Sequence, residues 1–276
     1  MIVVTGATGN VGRALVERLT AAGRPVRALT RDPRRAGLPQ QAEVVQHQLD
    51  DPAALFTGAT QLFLNLRATG DATEALLDAA RAAGVRHVVM LSSGIIREGA
   101  DTSHPIHIWH AKAVQQVRDS GLAATILQPN AFASNALQWA PQIRAGDTVR
   151  GPFADGVSAP IHEDDIAAVA ERALLDPGHE GAAHRLTGTE PVTTAQQITA
   201  IGHAIGRDLR FNEIPVDEAS PELFPHVPPE MLPGLLKAFG GSVGTTPEIT
   251  TTVEDITGVP ARPFTAWAKD HADDFC

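Results

Sequence analysis

The sequence predicts an α/β protein: a doubly wound parallel sheet followed by a smaller α+β C-terminal lobe. Three observations predict it. The chain opens on an apolar run, Ile2–Thr5, that meets Gly6, Gly9 and Gly12 and passes into an amphipathic segment. Strand-length apolar runs then alternate with helix-length segments as far as Pro129. That alternation calls for crossover units and parallel strands. Beyond about Gly146 the rhythm changes. Residues 1–150 therefore read as one domain and 151–276 as a second, packed against and interleaved with the first.

The elements follow in order. Ile2–Thr5 is a central strand, apolar throughout because both of its faces are buried. Val11, Leu15, Leu19 and Ala22 repeat at helical spacing, and Gly23 caps that helix. Pro25–Thr30 is the second strand. Asp32-Pro33 restarts a helix, with Asp32 as N-cap and Pro33 in the first turn. Residues 43–48 form the third strand, and Asp51-Pro52 repeats the start signal. Residues 61–66 are the fourth strand. Asp71 with Glu74 makes a capping-box-like start. Residues 85–91 are the fifth strand, ending in Ser92-Ser93-Gly94. A helix spans about 106–120, and Ala123–Gln128 is the sixth strand. In the C-terminal part, 157–161 is extended and Glu163-Asp164-Asp165 opens a helix. Residues 184–187 form a short strand of that lobe. Thr194 with Gln197 caps another helix, and 209–214 is extended. The proline-dense stretch from Pro215 to Pro233 predicts short helices and loops. Pro263 opens the last helix, with Trp267 and Phe275 on its core side.

The 276 residues carry a net charge of −10, which disfavours nucleic acid and anionic membrane surfaces as partners. The single cysteine, Cys276, permits no disulfide framework. No apolar run reaches membrane-span length, and no basic leader precedes the first strand. The expectation is a cytoplasmic monomer or small homo-oligomer acting on a small molecule. The chain contains no tyrosine.

Gly6-x-x-Gly9-x-x-Gly12 leaves main-chain N–H groups at a helix N-terminus, where they suit a pyrophosphate. Thr8, Asn10 and Val11 flank it. The turn follows the first strand of an alternating series, so it reads as a dinucleotide cradle. An NAD-selective site places a carboxylate at the end of the second strand. Here Thr30-Arg31 stands there, and Arg31 suits a 2′-phosphate, so the expected cofactor is NADPH. Arg34 and Arg35 add charge, and Asp32 is better explained as a cap.

The segment Thr5–Gly12 resembles the atypical short-chain dehydrogenase/reductases of the NmrA-like kind. Leu122–Phe132, Ile161–Ala168, Leu186–Gly188 and Thr265–Phe275 are similar to segments of that family as well. The resemblance implies a Rossmann fold, NAD(P)H binding and a C-terminal lobe over the nicotinamide end. In the wider superfamily a tyrosine and a lysine four residues later carry the proton. Ile106 falls in the tyrosine's place and His110 in the lysine's, similar to the quinone oxidoreductase and triphenylmethane reductase branch. Lys112 lies about 200° further round the helix at 3.6 residues per turn, facing away from the site that His110 faces.

His110 is expected to hold the nicotinamide ribose and relay a proton, with Ser92 and Ser93 as hydrogen-bonding partners of the nicotinamide or substrate. Strand ends supply the other contacts: Asp50 at the adenine, Asn65 and Leu66 beside the cofactor, and Pro129, Asn130 and Phe132 beside the nicotinamide. Trp139 and the 215–244 region are candidates for the substrate wall. No metal site is expected; His104, His107 and His110 lack a carboxylate with ligand spacing. The function expected is an NADPH-dependent reductase of a small apolar electrophile, such as a quinone, enone, imine or carbonyl. The rival is a non-catalytic NADP(H)-sensing regulator, motivated by the missing tyrosine.

Overall fold

The structure, a computed structural model, describes residues 1–47, 52–97, 99–224, 227 and 229–276. Its first elements are β1 (Ile2–Val4), α1 (Asn10–Ala21), β2 (Val26–Thr30), β3 (Glu43–Gln46), β4 (Gln61–Asn65), α2 (Leu66–Thr69) and α3 (Thr73–Ala82). There follow β5 (His87–Leu91), α4 (Pro105–Asp119), β6 (Ala123–Pro129), α5 (Ala140–Ala145), β7 (Thr148–Gly151) and β8 (Val157–Ser158). The remainder comprises α6 (Glu163–Leu175), β9 (Ala183–Leu186), β10 (Val192–Thr193), α7 (Thr194–Ile205) and β11 (Arg210–Glu213), then α8 (Leu232–Gly240), α9 (Thr252–Thr257) and α10 (Phe264–Asp270).

The chain divides into two compact units. The first is Met1–Asn130, Glu163–Leu186 and Thr252–Val259; the second is Ala131–His162, Thr187–Thr251 and Pro260–Cys276. The units exchange segments along the sequence, and the first division falls after Asn130.

Unit 1 carries one sheet in the order β3-β2-β1-β4-β5-β6-β9, with every neighbouring pair parallel. The order reverses direction between β1 and β4, the switch point where a doubly wound sheet offers a crevice at its strand ends. This is a Rossmann-like α/β sheet. Val3, Leu62, Leu64, Val88 and Met90 in the strands and Leu76, Leu77 and Val117 in the helices share its core. Strands buried on both faces explain the apolar runs of the sequence.

Three expectations need correction here. The strand expected at 184–187 within the C-terminal lobe is β9, which extends the main sheet by pairing with β6, Ile126 opposite Ala183. Asp71 does not cap α3, whose N-cap is Ala72 with no side-chain hydrogen bond; Asp71 sits in the preceding short turn. The capping box at α7 is one residue earlier than read: Thr193 accepts from the Gln196 main chain while the Gln196 side chain returns to Thr193. The start signal at Asp51 lies outside the described residues.

Unit 2 combines helices with two small sheets, β8 with β10 and β7 with β11. Its core joins Trp139, Ile143, Val149, Ile198, Ile201 and Phe264 to Trp267 and Phe275, both fully buried. Trp267 stacks between Phe264 at 5.3 Å and His271 at 4.5 Å. His162 is covered, and its Nε2 lies 3.3 Å from Asp270 Oδ2. No helix among the described residues is long and apolar enough to cross a membrane.

Candidate active site

The glycine turn is held by close packing at two of its three glycines. Gly6 has φ +63°, and a Cβ there would lie 2.8 Å from Asn65 Nδ2. At Gly12 a Cβ would lie 2.1 Å from the Gly6 carbonyl oxygen, so α1 can approach the turn only through a glycine. Gly9 differs. It is exposed, with φ −80°, and its Cβ would meet only Gly6 O at 3.4 Å. Among the described residues nothing in the packing excludes a side chain at Gly9, so the bare position fits an outside group seated on α1. The N-terminus of α1 has that character: no side chain caps it and its first turn holds no acid. The N–H groups of Asn10, Val11 and Gly12 precede the first helical donor, Arg13 N–H, and carry the positive end of the dipole. Thr8, Gly9 and Asn10 are exposed, whereas the Val11 side chain is buried.

Thr5 stitches the turn to the neighbouring strand. Its hydroxyl donates to Phe63 O at 3.1 Å and accepts from Asn65 N–H at 2.7 Å. Asn65 in turn caps α2, its Oδ1 accepting from Arg67 N–H at 3.1 Å. Leu66 was expected beside the cofactor, but it opens α2 and its side chain is buried in the core. Only its main chain is left for that role.

At the end of β2, Thr8 and Thr30 hydroxyls lie 3.5 Å apart. Asp32 accepts from Arg34 N–H at 3.1 Å and caps a short 3₁₀ turn, as its place before Pro33 implied. Arg13 spends its guanidinium on the carbonyls of Gly37 and Ala36, at 2.7 and 2.9 Å, and so pins this loop. Arg31 is exposed and makes no ion pair among the described residues. Its guanidinium therefore stays open at the end of β2. Asp50, proposed for the adenine, lies outside the described residues.

At the far strand ends, Ser92 is buried and its Oγ lies 3.3 Å from His110 Nδ1. Burial pushes the His110 pKa down to about 4, so the imidazole is neutral at pH 7. Trp109 packs edge-on against its ring at 5.1 Å. Lys112 is exposed, so α4 turns His110, and not Lys112, toward Ser92. His104 is committed as the α4 N-cap, its Nδ1 accepting from Ile106 N–H at 3.2 Å. Ser93 is half-buried, and its Oγ accepts from Ile95 N–H within the loop.

One residue that sequence reading missed ties this end together. Arg185, at the end of β9, donates to Gly94 O at 3.3 Å and to Asn130 Oδ1 at 3.1 Å. Gly94 and Asn130 are already in close contact: a Cβ on Gly94 would lie 1.9 Å from Asn130 Oδ1. Gly94 N–H also donates to Pro129 O at 2.7 Å. The loop after β5 and the end of β6 are thus locked to each other by an arginine from the outermost strand. Phe132 belongs to unit 2, where it bridges to Ile161 and, with Trp139, lines a cavity of about 240 Å³.

The sequence model of the NmrA-like family matches residues 1–254. The chain belongs to the NmrA-like family. It is thus an atypical short-chain dehydrogenase/reductase with an NAD(P)-binding fold. Among its relatives is a (4-alkanoyl-5-oxo-2,5-dihydrofuran-3-yl)methyl phosphate reductase of Streptomyces griseus, 41% identical over all of this chain and 99% of that protein. An NAD(P)H azoreductase of Xenophilus azovorans is 34% identical, again over all of this chain and 99% of the relative. The NADP(H) complex of Citrobacter sp. triphenylmethane reductase superposes with a TM-score of 0.80 at 19% identity, over 98% of this chain and 99% of that one. That last likeness speaks to the fold of this NmrA-like chain.

Proposed function

We propose that this chain is an NAD(P)H-dependent oxidoreductase that prefers NADPH and reduces a small apolar electrophile without a catalytic tyrosine. The observation that carries the reading is the half-buried, neutral His110 on Ser92, in the same Rossmann unit as an open glycine turn. The N–H groups at the start of α1 would hold the pyrophosphate and Arg31 the 2′-phosphate, with Asn65 near the nicotinamide half. Bound there, NADPH supplies a hydride.

The chain's own residues orient and shelter that transfer. His110 is neutral and hydrogen-bonded, so it offers a ribose hydroxyl a partner but is a poor acid at pH 7. This favours acceptors that need no strong acid in the transition state. A carbon–carbon double bond conjugated to carbonyls is of that kind, as is a quinone: the arriving electron pair rests on oxygen as an enolate, and water protonates it afterwards. The name of the 41% identical relative describes a double bond flanked by a ring carbonyl and an alkanoyl group. Of quinone, enone, imine and carbonyl, we therefore place the conjugated enone first.

The test is loss of reduced-nicotinamide absorbance with NADPH or NADH and a panel of unsaturated lactones, quinones, imines and aldehydes. Turnover with a conjugated acceptor, faster from NADPH, is expected. Tight NADPH binding with no acceptor accelerating its oxidation would overturn the reading in favour of an NADP(H)-sensing regulator.

A further inference from the structure

His47 directly follows β3 in unit 1, and its Nε2 is buried without a hydrogen bond. Among the described residues it is the one side-chain nitrogen or oxygen in that condition. Folding strips water from such an atom and normally gives it a protein partner instead. Burial also holds the ring's pKa below the usual 6.5, so the imidazole is neutral at pH 7. A neutral ring keeps one N–H to donate.

The sheet fixes what His47 stands beside. β2 and β3 run parallel, in register from Arg27 opposite Glu43 to Thr30 opposite Gln46. One step further, His47 N–H still donates to Thr30 O at 2.7 Å, so the ladder carries His47 alongside Arg31. Alternation along each strand puts both on the face that Leu29 and Val45 share. Neighbouring strands lie about 4.8 Å apart, so one tetrahedral anion can touch side chains from both. The same strand end abuts the glycine turn, where Thr30 and Thr8 hydroxyls lie 3.5 Å apart.

The charges around this strand end favour an anion. Glu43 is engaged by Arg27 at 3.0 Å, and Asp32 Oδ1 accepts from Arg34 N–H at 3.1 Å. Neither Arg31 nor His47 has an ion pair among the described residues, and Arg34 and Arg35 follow in the next turn.

We propose that His47 is the second ligand of the cofactor's 2′-phosphate: its Nε2–H donates to one phosphate oxygen while the Arg31 guanidinium holds the others. The orphaned atom thereby gains a charge-assisted hydrogen bond, the strong kind. The inference rests on the reading of Arg31 as the 2′-phosphate residue and adds a specificity determinant from a different strand.

Two measurements on the intact protein test it, and neither needs turnover. The first is calorimetric titration of NADP+ and NAD+ into the wild type, Arg31→Ala, His47→Leu and His47→Asn. His47 is half-buried, and leucine replaces its orphaned nitrogen with carbon, so His47→Leu should melt no lower than the wild type. Its affinity for NADP+ should fall at least tenfold while NAD+ stays within about twofold. His47→Asn keeps a donor and should recover part of the NADP+ affinity, which preserves the test if the leucine variant does not fold. The second is the ring-proton NMR signal of His47, the one of eleven histidine signals that His47→Leu lacks. It should shift with 2′-AMP and stay in place with 5′-AMP. Equal weakening of both dinucleotides in His47→Leu, or a signal that both nucleotides move alike, would overturn the proposal and assign His47 to the adenine or to packing. A preference for NADP+ lost in Arg31→Ala but intact in His47→Leu would overturn the role of His47 and leave that of Arg31 standing. A wild type that binds NADP+ and NAD+ alike would overturn both.

Discussion

Ser92 Oγ and His110 Nδ1 lie 3.3 Å apart, joining the end of β5 to the buried side of α4. By the resemblance, His110 stands in the lysine's place and Ile106 in the tyrosine's, so the Ser92–His110 pair offers a weak base and a hydroxyl in place of an acid.

The pair makes a prediction about pH. His110 in the folded protein has its pKa lowered from 6.5 to about 4 by burial. The unfolded chain therefore takes up this proton first as pH falls, and the folded state loses stability between pH 6.5 and about 4. Above pH 6.5 the residue makes no pH-dependent contribution. Melting curves of the wild type and His110→Gln should converge toward low pH, with the wild type showing the steeper loss across that window. Parallel pH profiles would contradict the half-buried, neutral assignment.

The glycine turn separates a packing role from a binding role. Gly12→Ala forces a methyl to within 2.1 Å of Gly6 O, so the fold should lose about 1–3 kcal/mol and melt several degrees lower. Gly9→Ala meets nothing closer than 3.4 Å among the described residues. Its melting temperature should hold while its affinity for NADPH falls at least tenfold, measured by calorimetry. Equal loss of stability in both variants would remove the binding role of Gly9.

Arg31 is the proposed determinant of cofactor choice. Removing one charge-assisted phosphate contact costs about 1.5–3 kcal/mol, so Arg31→Ala should weaken NADPH at least tenfold and leave NADH within about twofold. Calorimetric titration of both dinucleotides measures this. An unchanged preference would remove Arg31 from the site.

Arg185 should act through position. It touches Gly94 O and Asn130 Oδ1 and has no place in the cradle. Arg185→Ala is expected to cut kcat roughly tenfold, the order of a small misplacement of reacting groups, with NADPH affinity little changed. Arg185→Lys should recover only part of the loss, because one ammonium lacks the two-pronged reach of the guanidinium. A matching fall in NADPH affinity would contradict the positioning role.

How much of this was legible in the sequence follows from the range of the interactions. β1, β4 and β5 are buried on both faces, so their apolar runs announced them, and Gly6–Gly12 announced the tight turn between β1 and α1. β9 did not announce itself: it is four residues long, half-buried, and carries His184 and Arg185, so it read as a piece of the C-terminal lobe. Asp71 and Glu74 matched a capping pattern, but a short turn at Gly70–Ala72 took Asp71 out of position. The burial of the Leu66 side chain follows from Asn65 ending the strand and starting α2 in the same step. Arg185 was invisible because its partners stand 91 and 55 residues away, and only the sheet order brings β9 beside β6. His110 was singled out by its register within one helix, a local signal, and the structure sets it against Ser92.

The central claim is that this chain moves hydride from NADPH to a conjugated carbon without a tyrosine. The most direct test is single-turnover reduction of a 2-alkanoyl unsaturated lactone with NADPH deuterated at nicotinamide C4, on each face in turn, with the product read by mass and NMR. Deuterium from one face only, on the carbon conjugated to the two carbonyls, is the predicted result. Bound NADPH that delivers deuterium to no conjugated acceptor would contradict it.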